Sequence, residues 1–107
     1  MTEKSLLVNF IGNYPQVRVL DYFIENDIFD HSIPNIIKGS DVSRNTLEPI
    51  LKLLLKSSLI KKTRKIGKAQ LFNLNKESPL AQRLLELDYE LIRESISQIE
   101  KEIKIEA

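Results

Sequence analysis

Cysteine and tryptophan are absent from the 107 residues of this chain, and histidine occurs once. Without cysteine the chain can form no disulfide, no thiolate metal site and no thiol redox switch. The single His31 follows Asp30 in a predicted turn, where we expect a solvated or capping side chain rather than a metal ligand or a catalytic base. These shortages predict that the protein uses no metal ion and no cofactor.

The sequence also lacks the patterns of enzymes and of membrane proteins. It has no glycine-rich phosphate loop, no nucleophile motif and no carboxylate–histidine cluster. No apolar run approaches the roughly 20 residues of a membrane-spanning helix, and the first residues do not resemble a signal peptide. We therefore expect a soluble cytoplasmic protein that is not an enzyme and that lies at the nucleoid if it binds DNA.

The net charge of +1 conceals a strong segregation of charge along the chain. Residues 1–37 carry a net charge of −3 and residues 77–107 a net charge of −4. Between them, residues 38–76 carry ten basic and two acidic side chains, a net charge of +8. This distribution predicts a central surface that faces a polyanion. The alternative is chance clustering of surface lysines.

Apolar residues recur at helical spacing in four segments before residue 59. Gly12 is expected to end the first helix, Pro15 to begin the second and Gly39 to end the third. Either Ser43 or Asn45 is expected to cap the fourth. The predicted helices span approximately residues 3–11, 15–29, 33–39 and 43–58.

The pattern changes after the fourth helix. Residues 59–64 and 69–74 are extended candidates joined by a turn that contains Gly67, which predicts a β-hairpin. From Pro79 onward the chain has no further glycine or proline. At ~1.5 Å per residue, a helix from Pro79 to Ile105 would be roughly 40 Å long.

The fourth helix is predicted to be amphipathic. The residues expected to face the core are Leu47, Ile50, Leu51, Leu54 and Leu55. The opposite side presents Asn45, Glu48, Pro49, Lys52 and Lys56, with Ser43 and Arg44 at the amino end. Any surface helix has a polar side, so a solvated face is the alternative interpretation. Pro49 removes an amide donor and is expected to bend or shorten the helix.

The polar residues of this helix suit the major groove of DNA. Arg44 and Asn45 can form bidentate hydrogen bonds with purine edges, and Glu48 can accept one from cytosine. Lys52 and Lys56 are better suited to phosphates, which set register and affinity without specifying sequence. We therefore predict a recognition helix at about residues 44–57.

Cations cluster around the predicted hairpin turn. They are Lys61, Lys62, Arg64, Lys65 and Lys68. Because side chains alternate along a strand, the cations can point outward while Leu59, Ile60 and Leu71 pack inward. Residues 61–70 would then form a basic wing that follows phosphates or enters the minor groove. The alternative is an edge hairpin that lysines keep soluble.

The segments around the fourth helix and the hairpin resemble winged helix-turn-helix regulators of the ArsR and MarR type, particularly small archaeal members. The resemblance covers roughly residues 12–85 and is carried by residues 13–20, 42–47, 59–60, 64–69 and 72–80. It implies sequence-specific binding of double-stranded DNA by a homodimer, usually for transcriptional control. Ser58 departs from the glycine that usually follows the recognition helix, so the turn there is expected to differ. Metal sensing is not expected, because the cysteine and clustered histidine ligands are missing.

The final helix carries apolar residues at alternating spacings of four and three, which is typical of a two-helix coiled coil. The residues predicted to form a dimer interface are Leu85, Tyr89, Ile92, Ile96, Ile99 and Ile103. Leu80, Leu84, Leu87 and Leu91 widen the apolar side near the start of the helix, where it can touch its own domain. The alternative is that the whole helix packs back on its own subunit.

The sequence thus predicts a mainly α protein with a small β-hairpin wing. Residues 1–78 would form the winged helix-turn-helix domain and residues 79–107 a dimerisation helix. The predicted DNA contacts are Ser43, Arg44, Asn45, Glu48, Lys52, Lys56, Lys62, Arg64, Lys65 and Lys68. The predicted partners are double-stranded DNA and a second copy of the chain. The alternative function is a protein-interaction or assembly module, in a transcription or DNA-partition complex, without sequence-specific DNA reading.

Overall fold

The computed structural model describes residues 5–106, and the side chains of residues 5–103. In that range the elements are α1 (Leu6–Ile11), α2 (Pro15–Glu25), α3 (Ile33–Ser40), α4 (Arg44–Lys56), β1 (Ile60–Ile66), β2 (Ala69–Leu74) and α5 (Pro79–Glu106). The predicted mainly α class with one antiparallel hairpin is confirmed. Glu3, where the first helix was predicted to begin, lies outside the described residues. None of the described helices is long and apolar enough to cross a membrane.

One apolar core joins every element of the fold. Its buried members include Leu7, Val19, Phe23, Ile36, Leu47, Ile60, Leu74 and Ala81. Each large aliphatic or aromatic side chain buried in this way stabilises the fold by about 1.5–3 kcal/mol. The predicted core side of α4 is also confirmed: Leu47, Leu51 and Leu54 are buried, and Ile50 and Leu55 pack against the cluster while partly exposed.

Helix α2 ends four residues earlier than the apolar spacing predicts. Asn26 ends it: its backbone leaves the helical conformation (φ −122, ψ 38), and its side-chain amide donates at 2.9 Å to the Tyr22 carbonyl, which also accepts the last helical bond from the Asn26 amide at 3.1 Å. Asparagine readily replaces helical bonds with such local ones. Ile28 and Phe29, the last apolar residues of the predicted helix, consequently lie beyond its end and are 72% and 62% exposed.

The turn between α3 and α4 is held by a side chain from α2. Arg18 donates from Nε to the Ser40 carbonyl at 3.0 Å and from a terminal nitrogen to the Asp41 carbonyl at 3.1 Å. Carbonyls at a helix C-terminus lack partners within the helix, and a cation is favourable there. Asp41, rather than the predicted Gly39, takes the left-handed conformation that ends α3, with φ 55.

Gly39 instead lies inside α3, where it permits close packing. A Cβ atom built on Gly39 would lie 2.1 Å from Cε1 of the Tyr22 ring. The absence of a side chain at this position therefore lets α3 approach α2. The glycine that was expected to terminate the helix sets the distance between two helices.

The turn after α4 has the left-handed backbone that glycine usually supplies, although the residue there is Ser58. Ser58 adopts φ 62, the left-handed conformation that favours glycine. The amide of Asn75 donates to the Leu59 carbonyl at 2.9 Å, and its side chain donates to the Ser58 carbonyl at 3.2 Å. Asn75, which follows the hairpin, thus stabilises the turn at Ser58 and Leu59, which precedes the hairpin.

His31 is buried, which contradicts the expected solvated or capping role. Its side chain and backbone are 5% exposed, and its backbone exchanges hydrogen bonds with Phe72 at 2.7 and 2.9 Å. The ring lies 3.0 Å from the Tyr22 hydroxyl through Nδ1 and 2.7 Å from the Asn26 carbonyl through Nε2. Because a carbonyl only accepts, we assign the proton to Nε2 and the accepting role to Nδ1. His31 therefore extends the sheet by one residue and ties it to α2.

Helix α5 packs on the core only along its first part. Leu84, Leu85, Leu87 and Leu91 contact the core cluster while partly exposed. The later apolar residues are exposed: Ile92, Ile96, Ile99 and Ile103 are 40–61% accessible. Helix α1 contacts α5 and buries Leu7 and Val8. Its remaining apolar residues, Leu6, Phe10 and Ile11, face outward.

Three carboxylates meet where α2 faces α5. Oxygen atoms of Asp21, Glu25 and Asp88 lie within 4.8 Å of one another. Burial, followed by the neighbouring carboxylates, raises the pKa of Glu25. Burial also raises the pKa of Asp21, against a hydrogen bond from Ser5, and burial alone raises the pKa of Asp88. One buried oxygen of Asp21, Oδ1, has no hydrogen-bond partner among the described residues. We call these three residues the carboxylate trio.

The contact at Gly39 predicts that a substitution which usually stabilises a helix will destabilise this protein. Alanine in place of glycine within a helix ordinarily stabilises by about 0.5–1 kcal/mol. Gly39→Ala should instead destabilise by about 1–3 kcal/mol, because the Tyr22 ring must move. Denaturant unfolding measures the change. Asn35→Ala, at an exposed position of the same helix, is the control and should stay within about 0.5 kcal/mol of the wild type. A stabilised Gly39→Ala protein would contradict the packing described here.

The carboxylate trio predicts a pH-dependent gain in stability for Asp88→Asn. Raised pKa values mean that the folded state binds these protons more tightly than the unfolded state. The trio therefore costs stability at neutral pH, and that cost disappears as pH falls below the usual carboxyl range near 4. Asp88→Asn should raise the free energy of unfolding at pH 7 by under about 1 kcal/mol, since the groups are partly solvated, and by less at pH 4. Glu94→Gln, exposed on the same helix, should show no such pH-dependent difference.

Candidate nucleic-acid interface

All ten side chains predicted to contact DNA are exposed. Six belong to α4 and its cap, and four belong to the hairpin that follows it. These two elements are adjacent in the fold, since α4 contacts β1. Accessibility is a requirement for binding a macromolecule, and every predicted residue meets it. Their roles in DNA contact stay predictions.

The amino end of α4 uses Ser43 as its cap. The Ser43 hydroxyl accepts from the Thr46 amide at 3.1 Å and donates to the Thr46 hydroxyl at 2.9 Å. The alternative cap, Asn45, is the second residue of the helix and does not cap it. The Asn45 side chain is left exposed and is not used to hold the helix.

The outer side of α4 presents mixed hydrogen-bonding groups. Asn45, Glu48, Lys52 and Lys56 are exposed on the side opposite the buried leucines. They offer an amide, a carboxylate and two ammonium groups, which together can bind base edges and phosphates. Leu53, which is not among the predicted contacts, also lies exposed on this helix, at 58% accessibility.

Pro49 lies within α4, and the helix runs through it for 13 residues from Arg44 to Lys56. Pro49 therefore does not shorten the helix, and the alternative expectation, a bend at Pro49, stays a prediction. Because proline has no amide hydrogen, the Asn45 carbonyl lacks the usual donor four residues ahead. Both Asn45 and Pro49 are exposed, so this occurs on the solvent side of the helix.

The hairpin carries its cations outward over a short apolar base. In β1 only Ile60 is buried, and residues 61–66 are exposed. In β2 the neighbouring Leu71 and Phe72 are both buried, so the base of the hairpin is covered on both faces. The pairing of β1 with β2 is irregular between Lys62 and Lys65.

The tip of the hairpin stands clear of the rest of the fold. Ile66 pairs with Ala69 across a two-residue turn in which Gly67 has φ 62. A Cβ atom built on Gly67 would meet nothing within 4 Å. Ile66 is 59% exposed beside the exposed Lys65 and Lys68. The tip therefore offers two cations and one apolar side chain to any surface that approaches it.

Arg64 differs from the other cations of the hairpin because it has an intramolecular partner. Its Nε lies 3.0 Å from Oδ2 of Asp30, in the loop that precedes α3. A similar contact holds Lys76, whose ammonium lies 3.4 Å from the Asp27 carboxylate. Neither pair can be predicted from the sequence, because the partners are distant along the chain and nothing in the local pattern links them.

The carboxylate trio is the group of potential metal ligands found among the described residues. Carboxylate oxygens suit hard cations such as Mg²⁺ and Ca²⁺. Cation binding requires ionised ligands, however, and burial raises the pKa of all three side chains. The trio is on α2 and α5, elements that carry none of the predicted DNA contacts.

Comparison with known proteins shows similarity at the level of structure. No family model and no curated protein matches the chain. MepR, a transcription regulator of the Staphylococcus aureus multidrug efflux pump MepA, aligns with a TM-score of 0.62 and 17% identity over 94% of this chain and 78% of that one. Overoxidised AbfR bound to DNA aligns with a TM-score of 0.56 and 24% identity over 95% and 79% of the two chains.

A third similar structure is Sso10a-2, a DNA-binding protein from Sulfolobus solfataricus. It aligns with a TM-score of 0.53 and 14% identity over 81% of this chain and 90% of that one. AbfR is a protein of Staphylococcus epidermidis. The alignments run over most of each chain. This chain therefore shares the winged helix-turn-helix fold of these proteins, as its sequence predicts.

Proposed function

We propose that the protein is a homodimeric, sequence-specific DNA-binding transcription regulator. The observation that carries the proposal is the exposure of all ten predicted contacts on α4 and the adjacent hairpin, within the most cationic part of the chain. DNA binding by the similar proteins AbfR and Sso10a-2 supports it. Such a protein acts in the cytoplasm at the nucleoid, and the proposal assigns it no catalytic activity.

In this proposal α4 lies in the major groove. Asn45 and Arg44 at its amino end are suited to purine edges and Glu48 to cytosine, whereas Lys52 and Lys56 bind phosphates. Recognition helices commonly contact bases through their amino-terminal residues, and these three lie there. Ser43 has a mainly structural task, because its hydroxyl caps the helix.

The hairpin supplies the second contact. Lys62, Arg64, Lys65 and Lys68 are suited to phosphates or to a narrow minor groove, where the negative potential is strongest. The exposed Ile66 at the tip is suited to the apolar faces of sugars. Solubility alone accounts for lysines on an edge hairpin but not for an exposed isoleucine among them.

The homodimer is proposed from the exposed apolar residues of α5. Tyr89, Ile92, Ile96, Ile99 and Ile103 are 40–61% exposed, whereas Leu85 already packs against its own core. Burying each exposed aliphatic chain against a second copy would contribute up to about 1.5–3 kcal/mol. Phe10 and Ile11 of α1, which contacts α5, add to the surface that a second copy would cover. Two subunits would bring two copies of α4 to half-sites about 34–36 Å apart.

The second candidate is a winged-helix interaction or assembly module that does not read DNA sequence. The exposed apolar part of α5 is compatible with it, because a different protein could cover the same residues. The net charge of +8 over residues 38–76 favours DNA, since a protein-interaction module does not require a cationic hairpin tip.

A salt series separates the two candidates. Each phosphate neutralised by a side chain lowers the logarithm of affinity by about 0.9 for each unit of log salt concentration. Gel shifts with duplex DNA at several salt concentrations should therefore give a slope of several units. A flat slope, or no binding to any duplex, would favour the interaction module.

Substitutions on the two elements should have different effects on DNA binding. Reversing the charges of Lys65 and Lys68 to glutamate should weaken binding to all sequences and reduce the salt slope. Asn45→Ala should relax base preference at one position by about 1–3 kcal/mol of discrimination. Selection from random duplexes and gel shifts measure both effects. Lys101→Glu, the same charge reversal at an exposed site on α5, is the control. Unaltered affinity in the wing and Asn45 variants would mean that the interface lies elsewhere.

A charge in the exposed part of α5 should separate the subunits. Ile96 is 52% exposed, so Ile96→Asp removes little from the core of the subunit itself. It would, however, bury a carboxylate at the centre of the proposed interface, which is unfavourable without a partner charge. Sedimentation should show a monomer for this variant and a dimer for the wild type. Gln98→Asp, at an exposed position on the other side of the helix, should leave the mass unchanged. A monomeric wild type would contradict the proposal.

A further inference from the structure

The loop between α2 and α3 is joined to the hairpin at several points. The His31 backbone pairs with Phe72, and the Asn73 side chain donates to the Asp27 carbonyl at 3.0 Å. Lys76 forms its ion pair with the Asp27 carboxylate at 3.4 Å. These contacts hold β2 and the segment after it. Among the hydrogen bonds and ion pairs of the described residues, the Asp30–Arg64 pair is the contact that joins this loop to β1.

Arg64 is held at two points. Gln70 donates to its backbone carbonyl at 3.2 Å, and Asp30 accepts from its Nε at 3.0 Å. The Arg64 side chain is nevertheless 68% exposed, while that of Asp30 is 25% exposed. The carboxylate thus holds the guanidinium by its inner nitrogen, and the two terminal nitrogens have no hydrogen-bond partner within the described residues. Guanidinium carries five donors in a fixed fork, so these terminal groups still match a phosphate.

We propose that Asp30 is a positioning residue that orients Arg64 on the hairpin to receive a DNA phosphate. The inference rests on the proposed DNA binding and adds a residue that lies outside both α4 and the hairpin. Arginine has many rotamers, and restricting them before binding lowers the ordering cost that DNA would otherwise impose. Without this role, a carboxylate beside a DNA-binding surface would only repel phosphates. If Asp30 positions Arg64, removing its charge should weaken DNA binding. If Asp30 only repels phosphates, removing its charge should strengthen DNA binding.

The experiment is a double-mutant cycle measured by fluorescence anisotropy with a duplex of random sequence. Asp30→Asn should weaken binding by about two- to fivefold in the Arg64 protein, the range expected of a partly exposed ion pair. In an Arg64→Gln background the same change should cause no loss, because there is no guanidinium left to orient. Asp30→Glu should recover part of the affinity. A purely structural effect of Asp30 would lower affinity equally in both backgrounds.

Asp27→Asn is the matched control. It removes the same charge from the same loop and breaks an ion pair that holds Lys76 rather than Arg64. Its effect should not depend on whether residue 64 is arginine or glutamine. Tighter or unchanged binding by Asp30→Asn, or an equal loss in the two Arg64 backgrounds, would overturn the positioning role. A wild-type protein that binds no duplex would instead overturn the proposed function, so the two failures are distinguishable.

Discussion

The guanidinium of Arg18 is the contact on which the geometry of the helix-turn-helix depends. It extends from α2 to the carboxyl end of α3, where it donates to the carbonyls of Ser40 and Asp41. Asp41, in a left-handed conformation that is unfavourable for a residue with a side chain, is stabilised within the same turn. Gly39 adds the second constraint by letting α3 lie against Tyr22. The turn that precedes α4 is therefore held by a residue that the sequence shows only as one charge on the polar side of an earlier helix.

Much of the fold is predictable because its determinants are local. Leu47, Leu51 and Leu54 repeat at helical spacing and are buried as expected, and Gly67 marks the hairpin turn. Prediction from the spacing of apolar residues fails at Asn26, where the side chain hydrogen-bonds to the Tyr22 carbonyl and α2 ends before Ile28. It also fails for contacts between distant segments. His31, the Asp30–Arg64 pair and the carboxylate trio all depend on how α2 and its following loop meet the hairpin and α5, which no short-range pattern encodes.

The two charged regions of the molecule have different physical characters. On α4 and the hairpin, the cations are exposed and well separated from the core, so they are available to an external anion at little desolvation cost. In the carboxylate trio, like charges are brought together and partly removed from water, and the pKa of each member rises. The first arrangement suits binding, whereas the second stores unfavourable electrostatic energy at the contact between α2 and α5. That contact links the helix-turn-helix to the helix whose far part is exposed.

Pro49 has a consequence for how the outer side of α4 can change through mutation. The acceptor left without a helical donor belongs to the main chain of residue 45, not to its side chain. Replacing Asn45 would alter the amide that projects from the helix, yet the carbonyl oxygen would persist through every such replacement. Because residue 49 is proline, the backbone carbonyl of residue 45 remains without its helical donor whichever side chain residue 45 carries.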